Sequence, residues 1–441
     1  MNLLINSRVT LFVFIMVYAL SVHFAHTGYL AEQHYLPGFF DYGFFELFDY
    51  VFLVVLVIVS AMVLPVKINN VSSIFVIVLY FFLYLPVFII SLGHDRLPVD
   101  ERALMLLSVA VSFFSVCLSS KFFINNSGAP AKRFNRMPGI FLLLWIVALI
   151  LFISKFKDVM YFRGLDEVYV QRELGKASTS FEGYLQIYFG YFLSLVVFSF
   201  GLYLRRYSYL VCGLLGCFLL YLVTAERTIF VLPLFVFMVF LAVRSEKAFV
   251  MWLSIFLGVS AILFVCVGLF YNESSLLFDL GFYYLSRIVA IPGVFFEQYY
   301  KYFSEIGFTN YSHVSVLNFL VEPDISLLND PLYPQIGKIV ARDVHHINSN
   351  SNASFLATDG AAAFGFFGVV IVSLALSLYL LLVDMLTRNW PLAFIVPAMS
   401  PLSIILTNGS FFTVLLSFGG LLWVAIFLIS RFNFCLRAKV K

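Results

Sequence analysis

Charge is what this chain has least of. Only 12% of its 441 residues are Asp, Glu, Lys or Arg, and 62% are hydrophobic. Soluble domains carry roughly 25% charged residues, so a soluble globular class is excluded, and the mean hydropathy of +0.99 points to a polytopic membrane protein. Cysteine is scarce as well. Cys117, Cys212, Cys217, Cys266 and Cys435 all lie in apolar runs or in the C-terminal tail, which predicts neither a disulfide framework nor a cysteine-held metal. The sequence shows no nucleic-acid motif and no internal period of a repeat array. No small-residue cleavage site follows the first apolar run, which is therefore read as a span and not as a removed signal peptide.

What is present is a series of apolar runs, each long enough to cross a bilayer core as a helix. About twelve are predicted, over 9–24, 49–66, 71–91, 101–118, 138–154, 182–204, 208–224, 228–243, 248–270, 361–383, 391–408 and 411–430. An even number puts both termini on one side. The segments on that side hold Arg8, Lys67, Lys121, Lys132, Arg133, Arg136, Arg205, Arg206, Arg244, Lys247 and Arg388, with Arg431, Arg437, Lys439 and Lys441 in the tail. Glu246 and Asp384 are the only acids among them. The positive-inside rule makes this face cytoplasmic. The expected fold is an all-α transmembrane bundle in three parts: 1–270 with spans one to nine and an outer loop at 155–181, a large outer loop at 271–359, and 360–441 with the last three spans and a basic cytoplasmic tail.

The stretch from Tyr271 to Asp359 organises the chain, because a long polar excursion between spans usually carries binding or chemistry. Residues 282–303 read as an aromatic-rich helix interrupted at Pro292-Gly293. Ile336 to Val344 reads as a second short helix, and the polar run Asp343 to Ser354 closes the loop. The expectation is a domain lying on the outer membrane face. Most of its aromatics are read as an interfacial belt, although aromatic rings also stack on sugars.

Arginine on an outer face is informative. Arg163, Arg172, Arg227 and Arg287 form an outer set, and a guanidinium is a permanently charged planar fork that matches phosphate or diphosphate without a metal. The plainer alternative pairs Arg163 with Asp166, Arg172 with Glu173 and Arg227 with Glu226. For Arg227 a functional reading is favoured, because a charge between two tightly joined spans is costly and needs a partner. His345 and His346 offer imidazoles for general-base work, and Asn350 and Asn352 offer amides for glycan hydroxyls. The alternative is a flexible polar loop with two solvent-exposed histidines. A metal site from Asp343, His345 and His346 is not expected, since adjacent histidines alone make a poor ligand set. Ala361 to Gly368 reads as a small-residue packing face, with Asp359 capping its own helix start.

These features, in this order, resemble the Wzy polymerases of O-antigen and related bacterial polysaccharides. The resemblance covers the layout of about twelve spans with one dominant late outer loop. It also rests on Ala225-Glu226-Arg227-Thr228 at the head of a span, on Arg287-Ile288-Val289-Ala290-Ile291-Pro292, and on Asn350 through Gly368 with its Gly365/Gly368 step. It implies a glycosyltransferase of the bacterial inner membrane with its active site facing the periplasm and no cofactor. The implied substrates are oligosaccharides on undecaprenyl diphosphate, and the implied partner is a chain-length regulator. Arg227 and Arg287 would hold diphosphate, with Arg163 and Arg172 in support. His345, His346 or Glu226 would act as base, and Asn350 and Asn352 would contact glycan. An O-antigen ligase and a lipid-linked oligosaccharide flippase are the competing readings.

Overall fold

A computed structural model describes residues 2–33, 42–94, 97–123, 134–162 and 168–438. Seventeen helices follow in order, with no strand among the described residues. They are α1 (Asn2–Gly28), α2 (Leu47–Val63), α3 (Val71–Gly93), α4 (Val99–Phe122), α5 (Met137–Phe156), α6 (Val168–Leu174), α7 (Ser180–Leu204), α8 (Tyr207–Thr224) and α9 (Thr228–Ala242). After these come α10 (Glu246–Phe270), α11 (Ser275–Ile306), α12 (Ile325–Leu328), α13 (Ile336–Asp343), α14 (Leu356–Thr387), α15 (Leu392–Leu406), α16 (Phe411–Leu416) and α17 (Gly420–Ala438).

Nine of the described helices are long and apolar enough to cross a membrane. Four of the expected spans are shorter: α2, α9 and α15, and the 411–430 run, which divides at Gly419 with φ +88° into α16 and α17. Conversely, α11 has the length and apolarity of a span, although the sequence reading puts it inside the outer loop.

Apolarity on all sides predicts full burial, and α3 is the case in point. Its only polar side chains besides two tyrosines are Ser72, Ser73 and Ser91, and it runs through the centre of the bundle almost wholly buried. In hydrocarbon its first N–H groups need partners. The Asn70 side chain accepts from Ser73 N at 3.0 Å. Asp384, buried in α14, accepts from Val71 N at 2.9 Å, from Ser72 N at 3.2 Å and from the Ser72 hydroxyl. Around α3, helices such as α5 and α10 turn Leu143, Val147, Ile150, Val259 and Ile262 outward, as lipid-facing helices do.

The same contacts sort the helix ends. Arg8 donates to the carbonyls of Ala61 and Leu64 at the end of α2, at 2.6 and 2.7 Å. Asn70 at the start of α3 donates to Ser120 and Phe123 at the end of α4. Lys67, Lys121, Arg205 and Arg206 lie at this basic end. Gly28 packs on Gly268 at the opposite, polar end, where α1 and α10 finish and where backbone contact leaves no room for a Cβ.

Helix α11 does not run from one end to the other. It leaves the polar end beside Tyr29 and Val267, which touch Gly281. It dips until Tyr284 meets Ser260 at 2.6 Å, then packs Gly293 on Pro86 and Ile90. It returns to the polar end at Glu297, which pairs with His94 at 2.9 Å. The turn-back coincides with a π-helical stretch over Gly281–Ala290, followed at once by Pro292. Phe295, Phe296, Tyr299, Tyr300 and Phe303 are buried, so these rings are core and not an interfacial belt. Residues 291–300 are buried throughout, and the two polar side chains among them find partners there, Glu297 on His94 and Gln298 on His345.

One prediction tests the cap. Asp384→Ala strands two N–H groups and is expected to cost about 1–3 kcal/mol, read as a lower melting temperature in detergent. Asp384→Asn, which keeps an acceptor, should recover part of the loss. An unchanged melt for both variants would contradict the assignment.

Candidate functional site

The α8–α9 connection is too short to leave the bundle. Ala225 closes α8 in the left-handed region at φ +48°, and Arg227 already stands at the head of α9. The geometry separates Glu226 from Arg227, against the plainer pairing. Glu226 accepts a hydrogen bond from the Tyr191 hydroxyl. The Arg227 guanidinium lies 4.8 Å from the centre of the Tyr283 ring, a cation–π contact. Arg287 follows Tyr283 by one turn of α11, and its own guanidinium lies 5.2 Å from the Phe282 ring. Arg227 and Arg287 are thereby set along one aromatic face. Arg172, exposed on α6, lies within electrostatic range of Tyr191. Helix α6 is held over the end of α8 by Gln171, which donates to the carbonyls of Val159 and Leu222 at 2.7 Å each.

This cluster is sunk below the rim of the bundle. Tyr284, the neighbour of Tyr283, bonds Ser260, and Ser260 precedes the end of α10 by a helical distance of about 15 Å. Among the described residues no carboxylate forms an ion pair with Arg227 or Arg287, and both are partly or fully exposed. Two guanidiniums without a carboxylate among the described residues can bind an anion through their planar forks of donors.

A second polar group stands at the same end. The His313 ring meets the Thr309 hydroxyl at 2.7 Å through Nδ1 and the Asp359 carboxylate at 3.4 Å through Nε2. Asp359 is fully buried and also accepts from the Ser410 hydroxyl at 2.8 Å and from Phe411 N at 2.5 Å. It therefore caps α16 and not its own helix. Helix α16 leads back to the first group, since the Tyr188 hydroxyl donates to Leu416 O at 2.9 Å and the Tyr191 ring packs 5.3 Å from Phe418. Just beyond Asp359, α14 breaks at Phe364 and at Gly365, which has φ +54°. Thr309 N and Asn310 N take up the carbonyls of Ala362 and Ala363 at 2.9 and 3.0 Å. Gly368 folds onto Gly360 O within the same chain segment, so this small-residue step serves the break and not helix–helix approach.

Three π-helical stretches carry these groups: Tyr188–Ser194 with Tyr191, Gly281–Ala290 with Tyr283 and Arg287, and Leu356–Ala361 with Asp359. Such wide turns re-aim side chains and are frequent at functional sites.

The remaining sequence candidates lie elsewhere. Arg163 is outside the described residues. His345 is buried and clamped, Nε2 to Gln298 at 2.8 Å and Nδ1 to the Ser351 hydroxyl at 2.6 Å, with the Phe295 ring 4.7 Å away. Burial, and then the charge of His346, push its pKa down to about 4. Both of its nitrogens are thus engaged by protein groups. His346 is exposed. Asn350 donates to the Asn352 side chain at 2.7 Å, and its oxygen packs on Gly337. Gln298, the anchor of His345, is about 16 Å along α11 from Arg287. Among the described residues, the side-chain hydrogen bonds of His345, Asn350 and Asn352 run to Gln298, Ser351 and one another, and not to Arg227 or Arg287. Sequence reasoning missed His313 and Glu297. Their signal was a histidine or acid within an apolar surround, which spacing alone does not pair.

No family model matches the sequence, no curated protein matches it, and no solved structure matches its fold.

The clamp on His345 gives a pH prediction. A histidine whose folded pKa lies below its unfolded value near 6.5 stabilises the fold fully above pH 6.5, and that stability is lost as pH falls toward 4. The melting temperature of the native chain should drop over this window by more than that of His345→Gln. Parallel curves would show that His345 is not held neutral.

Proposed function

We propose that this chain is a polymerase of lipid-linked glycan repeat units, working on the outer face of the bacterial inner membrane with its basic end in the cytoplasm. The observation that carries the reading is the sunken Arg227–Tyr283–Arg287 face, which no carboxylate among the described residues neutralises. The ligand that fits is an anion that stays at the membrane, reaches below the rim and spreads charge over several oxygens. A polyprenyl diphosphate such as undecaprenyl diphosphate has that chemistry. The lipid-facing exposure of the surrounding helices gives its chain a route to the site.

In this reading the growing glycan is bonded through its anomeric carbon to one lipid diphosphate. A sugar hydroxyl of the incoming repeat unit, on a second lipid diphosphate, attacks that carbon. The new glycosidic C–O bond forms as the carbon–diphosphate bond breaks, and the diphosphate departs with the electron pair. Arg227 and Arg287 stabilise the charge that grows on it, which is worth most in a low-dielectric site. Glu226, next to Arg227 in the chain and, among the described residues, accepting from Tyr191, takes the hydroxyl proton. The tyrosine bond orients the carboxylate, and Arg172 adds positive potential.

Two tests follow. Deleting the gene in its native strain should collapse the surface lipopolysaccharide ladder on a gel to core plus a single repeat. A strain in which no repeat reaches the core would favour ligase or flippase, and an unchanged ladder would contradict O-antigen polymerisation. Among variants at normal expression, Arg227→Ala should cut polymerisation on the order of 100-fold. Tyr283→Phe, which keeps the ring under the guanidinium, should stay close to the native level. A normal ladder with Arg227→Ala would overturn the site.

A further inference from the structure

Away from the arginine face, a cavity of about 450 Å³ opens on the extramembrane side of α13. Its lining is mixed. Leu332 and Ile347 supply apolar surface, while Lys338, His346, Asn348 and Ser349 supply polar groups around it, with Arg342 in the wall. The wall is rigid. Arg342 is gripped by two carboxylates, with Nη2 2.5 Å from Asp330 and Nε 2.5 Å from Asp343. Asp343 in turn accepts from the Tyr302 hydroxyl at 2.5 Å. These contacts hold both carboxyls below the usual carboxylate range and raise the guanidinium. Arg342 is thus neutralised and serves as scaffold. Lys338 has no carboxylate partner among the described residues and offers its ammonium to the cavity as a donor, while the four charges of Lys338, Arg342, Asp330 and Asp343 balance.

The two adjacent histidines divide the work. His345 is anchored inward by Gln298 and Ser351. The chain then turns through the left-handed region at His346, φ +55°, a conformation costly for a non-glycine residue and held only where its surroundings impose it. The result is an exposed His346 beside Asn348 and Ser349, on a loop whose return is fixed by Ser351 N to Gly337 O at 3.0 Å. Apolar patches ringed by amide, hydroxyl, imidazole and ammonium groups suit the apolar faces and hydroxyl edges of a saccharide. They suit a lipid chain poorly.

We propose that this cavity is a second, non-reacting glycan site that grips the polymer at a fixed distance from its reducing end. The proposal rests on the polymerase reading above. Gripping there retains the growing chain between additions and so influences how long it becomes. The groups that contact the glycan are Lys338, His346, Asn348 and Ser349. Arg342 and His345 are positioning residues.

The test uses the purified full-length chain in nanodiscs and polysaccharide freed from its lipid by mild acid, taken from the native strain's own lipopolysaccharide. Saturation-transfer NMR should report binding to the native chain, weakened at least tenfold in Lys338→Ala/His346→Ala. In cells the same double variant should shift the ladder to a shorter modal length. Asn348→Trp, which fills the cavity without removing charge, should do the same. Arg227→Ala should bind the freed polysaccharide as the native chain does. Unchanged binding and unchanged modal length in both cavity variants would overturn the proposal, while a ladder that still collapses on gene deletion would leave the polymerase reading intact. An unchanged ladder on deletion would instead sink that reading.

Discussion

A carboxylate inside an apolar bundle has to be surrounded by donors, and in this protein that requirement sets the frame. Helix α14 carries one buried acid toward each of its ends, and each is spent on the start of another helix. Asp384 holds α3 at the basic end, and Asp359 holds α16 at the polar end. The arrangement fixes the central helix on one side and the segment leading to Tyr191 on the other. A paired buried charge is weak evidence for stability by itself. These acids matter because they accept from backbone N–H groups that have no water to turn to.

The polar end is built on the opposite condition. There the guanidiniums of Arg227 and Arg287 rest on aromatic rings, which attract a cation only modestly. Glu226, the acid next door in sequence, is directed to a tyrosine. The bundle satisfies its buried acids fully, yet among the described residues it pairs neither of these arginines with one.

Much of this was legible in the chain itself. The apolar runs specify helices, and the scarcity of acids among the Lys and Arg of one face orders their ends. Arg227 between two abutting spans, and Arg287 ahead of Pro292, were singled out because charge is so rare here. The return path of α11 was not legible. Its hydropathy suits either a span or a surface helix, and the choice is made by Gly281, Gly293 and Glu297 finding partners on α1, α10 and α3. The clamp on His345 was not legible for a related reason. Sequence shows a polar side chain in a polar run, but not that Gln298 and Ser351 occupy both of its nitrogens. The pairing of His313 with Asp359 likewise joins residues far apart in the chain.

The π-helical stretches have an evolutionary meaning. Each amounts to one residue more than an α-helix of the same rise would hold. Losing a single residue between Gly281 and Ala290 would restore ordinary helical geometry and cost little in packing. With the buried half from Ile291 onward held in place, it would re-aim side chains inside the stretch by roughly 100° about the helix axis, turning Arg287 off the face it shares with Tyr283. The site is therefore tied to chain length more tightly than to the identity of most of its side chains. Lineages that drift freely in sequence while keeping this activity should be intolerant of insertions and deletions at these three turns.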